Sequence, residues 1–524
     1  MKSSSTLKPA VVLVADRTLS ARYRILFEGM FATMQTTQTP PWLMRHFLAP
    51  PVATDELGRA AIAPLGLRRL EATLGRTLGG DQVVVTTPER LPDLLGPWVK
   101  VVGVSSSDPL GRGMSNTTTQ SFSKGQLYTR YWLDRMMEFI RDRKSRLGFK
   151  VIGGGGGAWQ WRQDAAEARR QGLDAVFCGY FESRGPAVID ALMNNQPTPF
   201  RIDADGAAVA AIEPIVAGSL MGGIELSRGC GKGCGFCAMA HQRMEHLPPD
   251  LILRDVQRNL ACGIDCVASG SEDFFRYGGT GGQPNFHALR DLLEQMRQLS
   301  GLSMMQIDHA NISTVLQMPD EQLIELRRLM QWSRPMKHLW VNMGVESASG
   351  RLVQANGPGK IAPYRPEDWP EMALEAGHRM KRCGYFPVFS LVLGLPGETP
   401  DDVAATQRLA ERLGEMGSVI FPVFHEPLLE ASRREGLQFT CAKMRMDHLR
   451  LYTTCYEINF KHVPPLIWDN QRAGGVGWAR RCTLQALGRG EMFLWRRNFR
   501  RLRKRLANAA PARRTARQPQ PADV

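Results

Sequence analysis

The sequence predicts an α/β protein in two consecutive halves, a doubly wound parallel sheet and then a partial (β/α)6 TIM-like barrel, with a small, mainly helical C-terminal region. Three observations predict it. Short apolar runs alternate with amphipathic stretches along both halves, the pattern of parallel strands joined by helical crossovers. At 524 residues the chain exceeds what one core ordinarily serves. The composition, 43% hydrophobic and 22% charged, is that of a packed globular protein.

The elements follow in order. Ala10-Val-Val-Leu-Val-Ala15 is a buried-strand run stopped by Asp16-Arg17-Thr18, and further runs lie at 82–85, 101–104, 149–152 and 175–178. A strongly helical stretch, about 127–147, separates the third run from the fourth. The second half opens with Gly223-Ile-Glu-Leu-Ser227, and strand-like runs recur at 266–268, 303–307, 339–345, 389–393 and 420–424. Helix-like segments at 249–262, 285–299, 320–332 and 400–416 lie between them. Six such units make a partial barrel, with functional groups expected at the strand C-termini. The expected divisions are 1–200, 201–430 and 431–524.

Charge and cysteines narrow the class. Residues 491–524 hold ten Arg or Lys against Glu491 and Asp523, so this stretch supplies +8 of the net +15. The rest is only mildly basic, and with no base-stacking surface or RNA module in view, nucleic acid is not the expected partner. Trp495, Phe499, Leu502 and Leu506 form one apolar stripe on that arginine-rich stretch. It suits either an anionic membrane surface or acidic partner, or docking on the protein's own body. No run approaches the length of a spanning helix, and the N-terminal apolar run is too short for a secretory signal, so a cytoplasmic location is expected. None of the ten cysteines precedes Cys178, and three fall within eight residues.

Those three, Cys230-Gly-Lys-Gly-Cys234-Gly-Phe-Cys237, sit on a glycine-rich loop just after a strand. Interspersed glycines let the backbone curl so that three sulfurs point inward. Three thiolates hold a [4Fe–4S] cubane with one open iron, while a Cys3His zinc site completed by His241 is also compatible with the spacing. The CxxxCxxC loop, with Phe236 before its last cysteine, resembles that of the radical S-adenosylmethionine (SAM) superfamily. Three later segments resemble that family's motifs in order: Ser269-Gly-Ser-Glu272-Asp273, Val341-Asn-Met-Gly-Val-Glu346-Ser347 and Leu393-Gly394-Leu-Pro-Gly-Glu-Thr399. The resemblance implies a cluster on Cys230, Cys234 and Cys237, and a SAM amino group bound by Glu272 or, alternatively, Asp273. It also implies ribose contact at Glu346 and Ser347 and adenine above Gly394. An electron donor such as flavodoxin or ferredoxin is then required.

The first half, Rossmann-like, resembles the cobalamin (B12)-binding domain that precedes the barrel in one subgroup of that superfamily. The resemblance rests on Ser105-Ser106-Ser107-Asp108 after the third strand, Gly153 to Gly157 with Gly154 and Gly155 after the fourth, and Gly179-Tyr-Phe-Glu182 after the fifth. It implies that small residues let the corrin's nucleotide tail approach the sheet edge. A plain Rossmann-like or mononucleotide domain is the competing reading. The Asp-x-His-x-x-Gly motif is missing and His46 is the only histidine before residue 200, so cobalt without a protein histidine beneath it is expected. The subgroup implies a C-methyltransferase in which a SAM-derived 5′-deoxyadenosyl radical opens an unreactive carbon and methylcobalamin delivers the methyl group to a small-molecule or peptide substrate. Rivals are cyclisation, ring contraction or oxidation on the same cofactors, and a non-catalytic cobalamin-binding protein. Methylthiotransferases are disfavoured because their N-terminal domain supplies further cluster cysteines.

Overall fold

A computed structural model describes residues 8–515 apart from 205 and 207. The side chains of Arg513 and Arg514, and everything from 516 including Arg517 and Asp523, lie outside the described residues. The first half is built on strands β1 (Val11–Ala15), β2 (Val83–Thr86), β3 (Val101–Ser105), β4 (Lys150–Gly154), β5 (Ala175–Cys178) and β6 (Arg201–Asp203). They form one sheet in the order β2-β1-β3-β4-β5-β6, parallel throughout. The edge strand β6 was not expected and falls just beyond the boundary placed at residue 200. Alternate side chains feed opposite faces. Val12, Val14, Val102 and Val104 enter one core, and Val11, Leu13, Val101 and Ile152 the other. A sheet covered on both faces explains why β1 reads as a continuous apolar run.

Four helices matter to the site: α1 (Leu26–Thr33), α2 (Met114–Phe122), α3 (Tyr128–Leu147) and α4 (Ala158–Gln163). The α3 helix buries Leu133, Met136, Met137 and Ile140, and ends at Gly148 in the left-handed conformation (φ 77°) that terminates helices without a Cβ clash.

The second half carries β7 (Gly223–Glu225), β8 (Cys266–Gly270), β9 (Met304–Gln306), β10 (Leu339–Glu346), β11 (Tyr385–Leu393) and β12 (Val419–Phe424). Two parallel three-stranded sheets, β9-β8-β7 and β10-β11-β12, meet through a parallel bridge between His309 and Asn342. The result is an open six-stranded arc, with helices α5 (Pro249–Ala261), α6 (Phe286–Arg297), α7 (Asp320–Leu329), α8 (Gly350–Asn356), α9 (Trp369–Arg382) and α10 (Pro400–Glu415) in the crossovers.

Two long helices follow, α11 (Met446–Ala473) and α12 (Trp478–Thr515). Trp495, Phe499, Leu502 and Leu506 of α12 join the barrel's core cluster, so the stripe is spent on the protein's own body. Trp495 and Phe499 pack on Tyr456 of α11 at ring separations of 4.8 and 5.1 Å. Among the described residues no helix is long and apolar enough to cross a membrane. The halves are joined by burial as well as by chain: Phe27 stacks near Trp340 at 4.5 Å, and the Phe424 amide donates to Thr118 Oγ1 at 2.7 Å.

Candidate functional site

The three cysteines lie on the loop after β7, as expected of a barrel whose chemistry sits at strand C-termini. Backbone bonds fold that loop on itself: Cys230 N–H to Gln242 O (2.9 Å), Gly233 N–H to Ala240 O (2.9 Å) and Cys237 N–H to Cys234 O (3.1 Å). Gly229 has φ +77°, and a Cβ there would stand 2.3 Å from Arg243 O, so only glycine permits the turn. Burial pushes all three thiols up, with Glu272 and Asp273 adding to it at Cys230, while Lys232 and Lys360 oppose it. Among the described residues no three Cys, His, Asp or Glu are gathered tightly enough to hold a single metal ion. A cubane takes one thiolate at each of three iron corners, so its ligands stand wider apart than those of one ion. The three-thiol, one-loop donor set therefore fits a cluster.

A second loop, absent from the sequence reading, clamps the first. After α8 the chain runs Asn356-Gly-Pro-Gly-Lys360, where Asn356 O accepts from Gly235 N–H (2.8 Å) and Gly359 N–H donates to Lys232 O (2.9 Å). A Cβ on Gly357 would stand 2.8 Å from Cys234 Sγ. This loop delivers Lys360 to Glu346, with which it forms a buried ion pair. Burial works against the Lys360 charge, but Glu346 and Cys234 outweigh it and its pKa is raised. Glu346 has φ 63° at a bulge in β10, a conformation that costs about 1–3 kcal/mol in a non-glycine residue and is kept where surroundings impose it. Gly344 makes the room, since a Cβ there would lie 2.3 Å from Glu346 Oε1.

Cys230, Cys234, Phe236, Cys237, Glu272 and Glu346 line one cavity of ≈ 680 Å³, within the range of small-molecule sites. Of the two acids after β8, Glu272 faces it and Asp273 does not. Asp273 is fully buried, accepting from Asn311 N–H (3.1 Å) and Thr314 Oγ1 (2.6 Å). Opposite Glu272 stands His309, with Nδ1 3.0 Å from Asp308. Burial disfavours its charge, yet Asp308 and Glu272 raise its pKa to about 9. His309, Lys232 and Lys360 went unread in the sequence, although Asp308-His309 closes the third barrel strand, where such groups belong.

Several expected contacts have other tasks. Ser347 is buried, 3.1 Å from Thr406 Oγ1, and does not line the cavity. Gly394 (φ +78°) allows Phe439 to close over it, because a Cβ would meet that ring at 2.2 Å, so it shapes the core.

On the sheet edge of the first half, the structure reassigns most of the proposed contacts. Asp108 is buried and accepts from Gly113 N–H (2.9 Å), Asn116 Nδ2 and Gln160 Nε2, fixing its own loop. Ser106 is buried against Asp16 at 3.3 Å, leaving Ser107 as the exposed serine. Gly153 is required by Trp161 and Leu173, and Gly155 (φ +89°) by the Ser105 hydroxyl, 2.5 Å from a would-be Cβ. Gly157 is required by Ser107 and Pro109, and Gly179 by Ala204 O at 2.8 Å. Only Gly154 and Gly156 are unopposed, with nothing within 4 Å of a Cβ on Gly156 and only Phe177 O at 3.8 Å for Gly154. That open edge is what fits a large ligand. His46 is exposed, on the π-helical turn Met44–Leu48. From this half the cavity takes residues of α1 and α2, such as Phe27, Met30 and Thr118, together with Arg112, Met114 and Trp159.

Glu182, too, is engaged within the chain. It holds Arg228, two residues before Cys230, through bonds of 2.9 and 2.7 Å with both side chains buried. Arg228 also pairs with Glu225, Glu225 with Arg69, and Arg69 with Asp255. Tyr180 lies under the Arg228 guanidinium at 4.3 Å and accepts the Gly229 N–H at 3.1 Å. The first half thus grips the root of the cysteine loop.

A (β/α)6 arc with three thiols after its first strand, and acids after its second and at its fourth, defines a class. The model of the radical SAM superfamily matches residues 224–410, and over that span the chain is a radical SAM domain. Sequence relatives include the ribosomal protein uS12 methylthiotransferase RimO of Syntrophobacter fumaroxidans, 27% identical over 42% of this chain and 46% of that protein. Another is the tRNA-2-methylthio-N(6)-dimethylallyladenosine synthase of Wolinella succinogenes, 24% identical over 52% of this chain and 63% of that one. The chain thus spans about half to three-fifths of these relatives' lengths. Among solved structures, the radical SAM methyltransferase TsrM of Kitasatospora setae, with cobalamin and a [4Fe-4S] cluster bound, superposes with a TM-score of 0.52 at 14% identity. That likeness covers 83% of this chain and 79% of TsrM, and it is one of fold, spanning both halves.

Proposed function

We propose that this protein is a cobalamin-dependent radical SAM C-methyltransferase. The observation that carries the reading is the shared cavity: one wall is the cysteine loop with Glu272 and Glu346, and another is Arg112, Met114 and Trp159 beside the open edge of the first half's sheet. A parallel sheet ordered β2-β1-β3-β4-β5 binds ligands at its C-terminal edge, near the switch in strand order. Arg112 and Trp159, which follow β3 and β4 at that edge, line the cavity that holds the cysteine loop.

When bound, the cluster supplies the electron that cleaves SAM to a 5′-deoxyadenosyl radical, and cobalamin supplies a methyl carrier. The chain's own residues do the rest. Cys230, Cys234 and Cys237 hold three irons; Glu272 offers a carboxylate to the SAM amino group and Glu346 one to the ribose. Lys360 holds Glu346 in its strained conformation. His309, cationic at neutral pH, balances Glu272 when no substrate ammonium is present. The apolar lining, including Phe236, Phe421 and Val423, keeps water from a radical. Methylthio transfer, the activity named for the sequence relatives, is disfavoured by the lack of any cysteine before Cys178. Substrate class, electron donor and the exposed basic face of α12 as a contact for an acidic partner belong to the same proposal.

The test is anaerobic turnover of the cobalamin-loaded protein with methyl-deuterated SAM and candidate metabolite or peptide pools. A product gaining a trideuteromethyl group, with one S-adenosylhomocysteine and one 5′-deoxyadenosine per product, is expected. Product with 5′-deoxyadenosine alone would assign the protein to cyclisation, contraction or oxidation.

A further inference from the structure

We propose that the cavity wall built by α11 and α12 is a substrate subsite for a protonated amine carried on an aromatic or apolar body, with Glu491 as its counter-ion. The inference rests on reading this cavity as the reaction chamber. It adds what the cavity takes.

The wall is aromatic. Tyr456 and Phe460 face the cavity from α11 and Trp495 from α12, with Tyr456 4.8 Å from Trp495 and 5.8 Å from Phe460. Positions 488, 491, 492 and 495 of α12 share one helical face, and all four line the cavity. Glu491 is the carboxylate on that face. Burial pushes its pKa up to about 7. Among the described residues it has no ion-pair partner.

Of the cations that line the cavity, Lys232 lies 3.4 Å from Ser313 Oγ and His309 3.0 Å from Asp308, both on the side of the cysteine loop. Arg480 faces Glu28 at 3.5 Å, Arg112 holds Asp164 at 2.7 Å, and Lys360 is paired to Glu346. Arg489 is exposed. A half-buried carboxylate that lacks a cation is held at a desolvation cost that a cationic ligand removes. Aromatic faces add attraction for an ammonium group, which they do not offer a neutral isostere. Space is left for the ligand too. Gly488 stands one turn before Glu491, inside a helix where glycine is unfavourable, and nothing lies within 4 Å of a Cβ placed on it. No packing contact calls for that glycine, and its lack of a side chain widens the cavity beside the acid.

The experiment is calorimetric titration of the full-length, cluster-reconstituted protein at pH 8 with phenethylamine and its neutral isostere 2-phenylethanol. The wild type should prefer the amine by about tenfold, the scale of one charge-assisted bond. Glu491→Gln should erase that preference and leave the alcohol's affinity unchanged. Equal wild-type affinities, no saturable binding of either compound, a preference for the alcohol, or an amine preference that survives in Glu491→Gln each overturns the proposal. The wild-type comparison alone decides the matter if the variant does not fold. Iron content and SAM cleavage are measured on the same samples. An intact cluster without amine preference refutes the subsite alone, whereas a missing cluster refutes the reading it rests on.

Discussion

Glu182→Gln takes the charge from a buried pair while keeping the side chain's shape. In the parent, Arg228 and Glu182 side chains are 3% and 2% exposed and bonded twice, at 2.9 and 2.7 Å. Stripping one partner from such a pair costs about 3–5 kcal/mol, because the remaining charge is left buried. Arg228 keeps Glu225 at 2.9 Å, so the expected loss is near the lower limit, about 3 kcal/mol. The control is Asp142→Asn, whose partner Arg146 sits at 2.8 Å with both side chains more than half exposed. That pair contributes under about 0.5 kcal/mol. Urea unfolding followed by tryptophan fluorescence compares the two variants with the parent, and iron uptake is read in parallel. Glu182→Gln should unfold at clearly lower urea and load less iron, since Arg228 anchors the root of the cysteine loop. Superimposable curves for Glu182→Gln and Asp142→Asn would refute the claim that this network ties the two halves together.

Glu346→Gln should weaken SAM binding by about 1.5–3 kcal/mol in equilibrium dialysis on samples matched for iron content, the value of a hydrogen bond to a charged group. It should lower stability as well, because Lys360 is left buried without its partner. Gly156→Val should abolish cobalamin uptake, seen as loss of its absorption spectrum from the purified protein, while leaving stability intact. Gly155→Val should destabilise the protein with or without cobalamin, because it collides with Ser105 and forces a β-branched residue to φ +89°. His309 should titrate near 9 in histidine-labelled, cluster-free protein, a signal missing in His309→Gln. Its folded value lies above its ordinary 6.5, so the stability it contributes is complete below about 6.5 and is lost as pH rises through about 9.

Much of the fold was legible because burial on both faces writes itself into the chain as continuous apolar runs such as Val11 to Val14. The six barrel strands were legible for the same reason. The three cysteines and Glu346 could be read because each stands at the end of a strand in a spaced motif. Contacts that close over long separations could not. Lys360 reaches Glu346 only because the loop after α8 folds back onto the cysteine loop, and Glu182 meets Arg228 across 46 positions. The glycine run misled for a physical reason. Gly153, Gly155 and Gly157 are demanded by neighbours within the chain, so only the intervening Gly154 and Gly156 are left to face a ligand. Asp273 and Ser347 were adjacent in sequence to the cavity-lining Glu272 and Glu346. One residue along, a side chain turns to the opposite face of the element and enters the core.

The central claim is that Cys230, Cys234 and Cys237 hold a [4Fe–4S] cluster that cleaves SAM. The direct measurement is iron, sulfide and 5′-deoxyadenosine on anaerobically reconstituted protein, parent against Cys234→Ala. The account predicts about four iron and four sulfide per parent chain, with reductant-dependent 5′-deoxyadenosine formation that disappears entirely in the variant. Stoichiometric zinc without iron in the parent, or SAM cleavage that survives in Cys234→Ala, would contradict it.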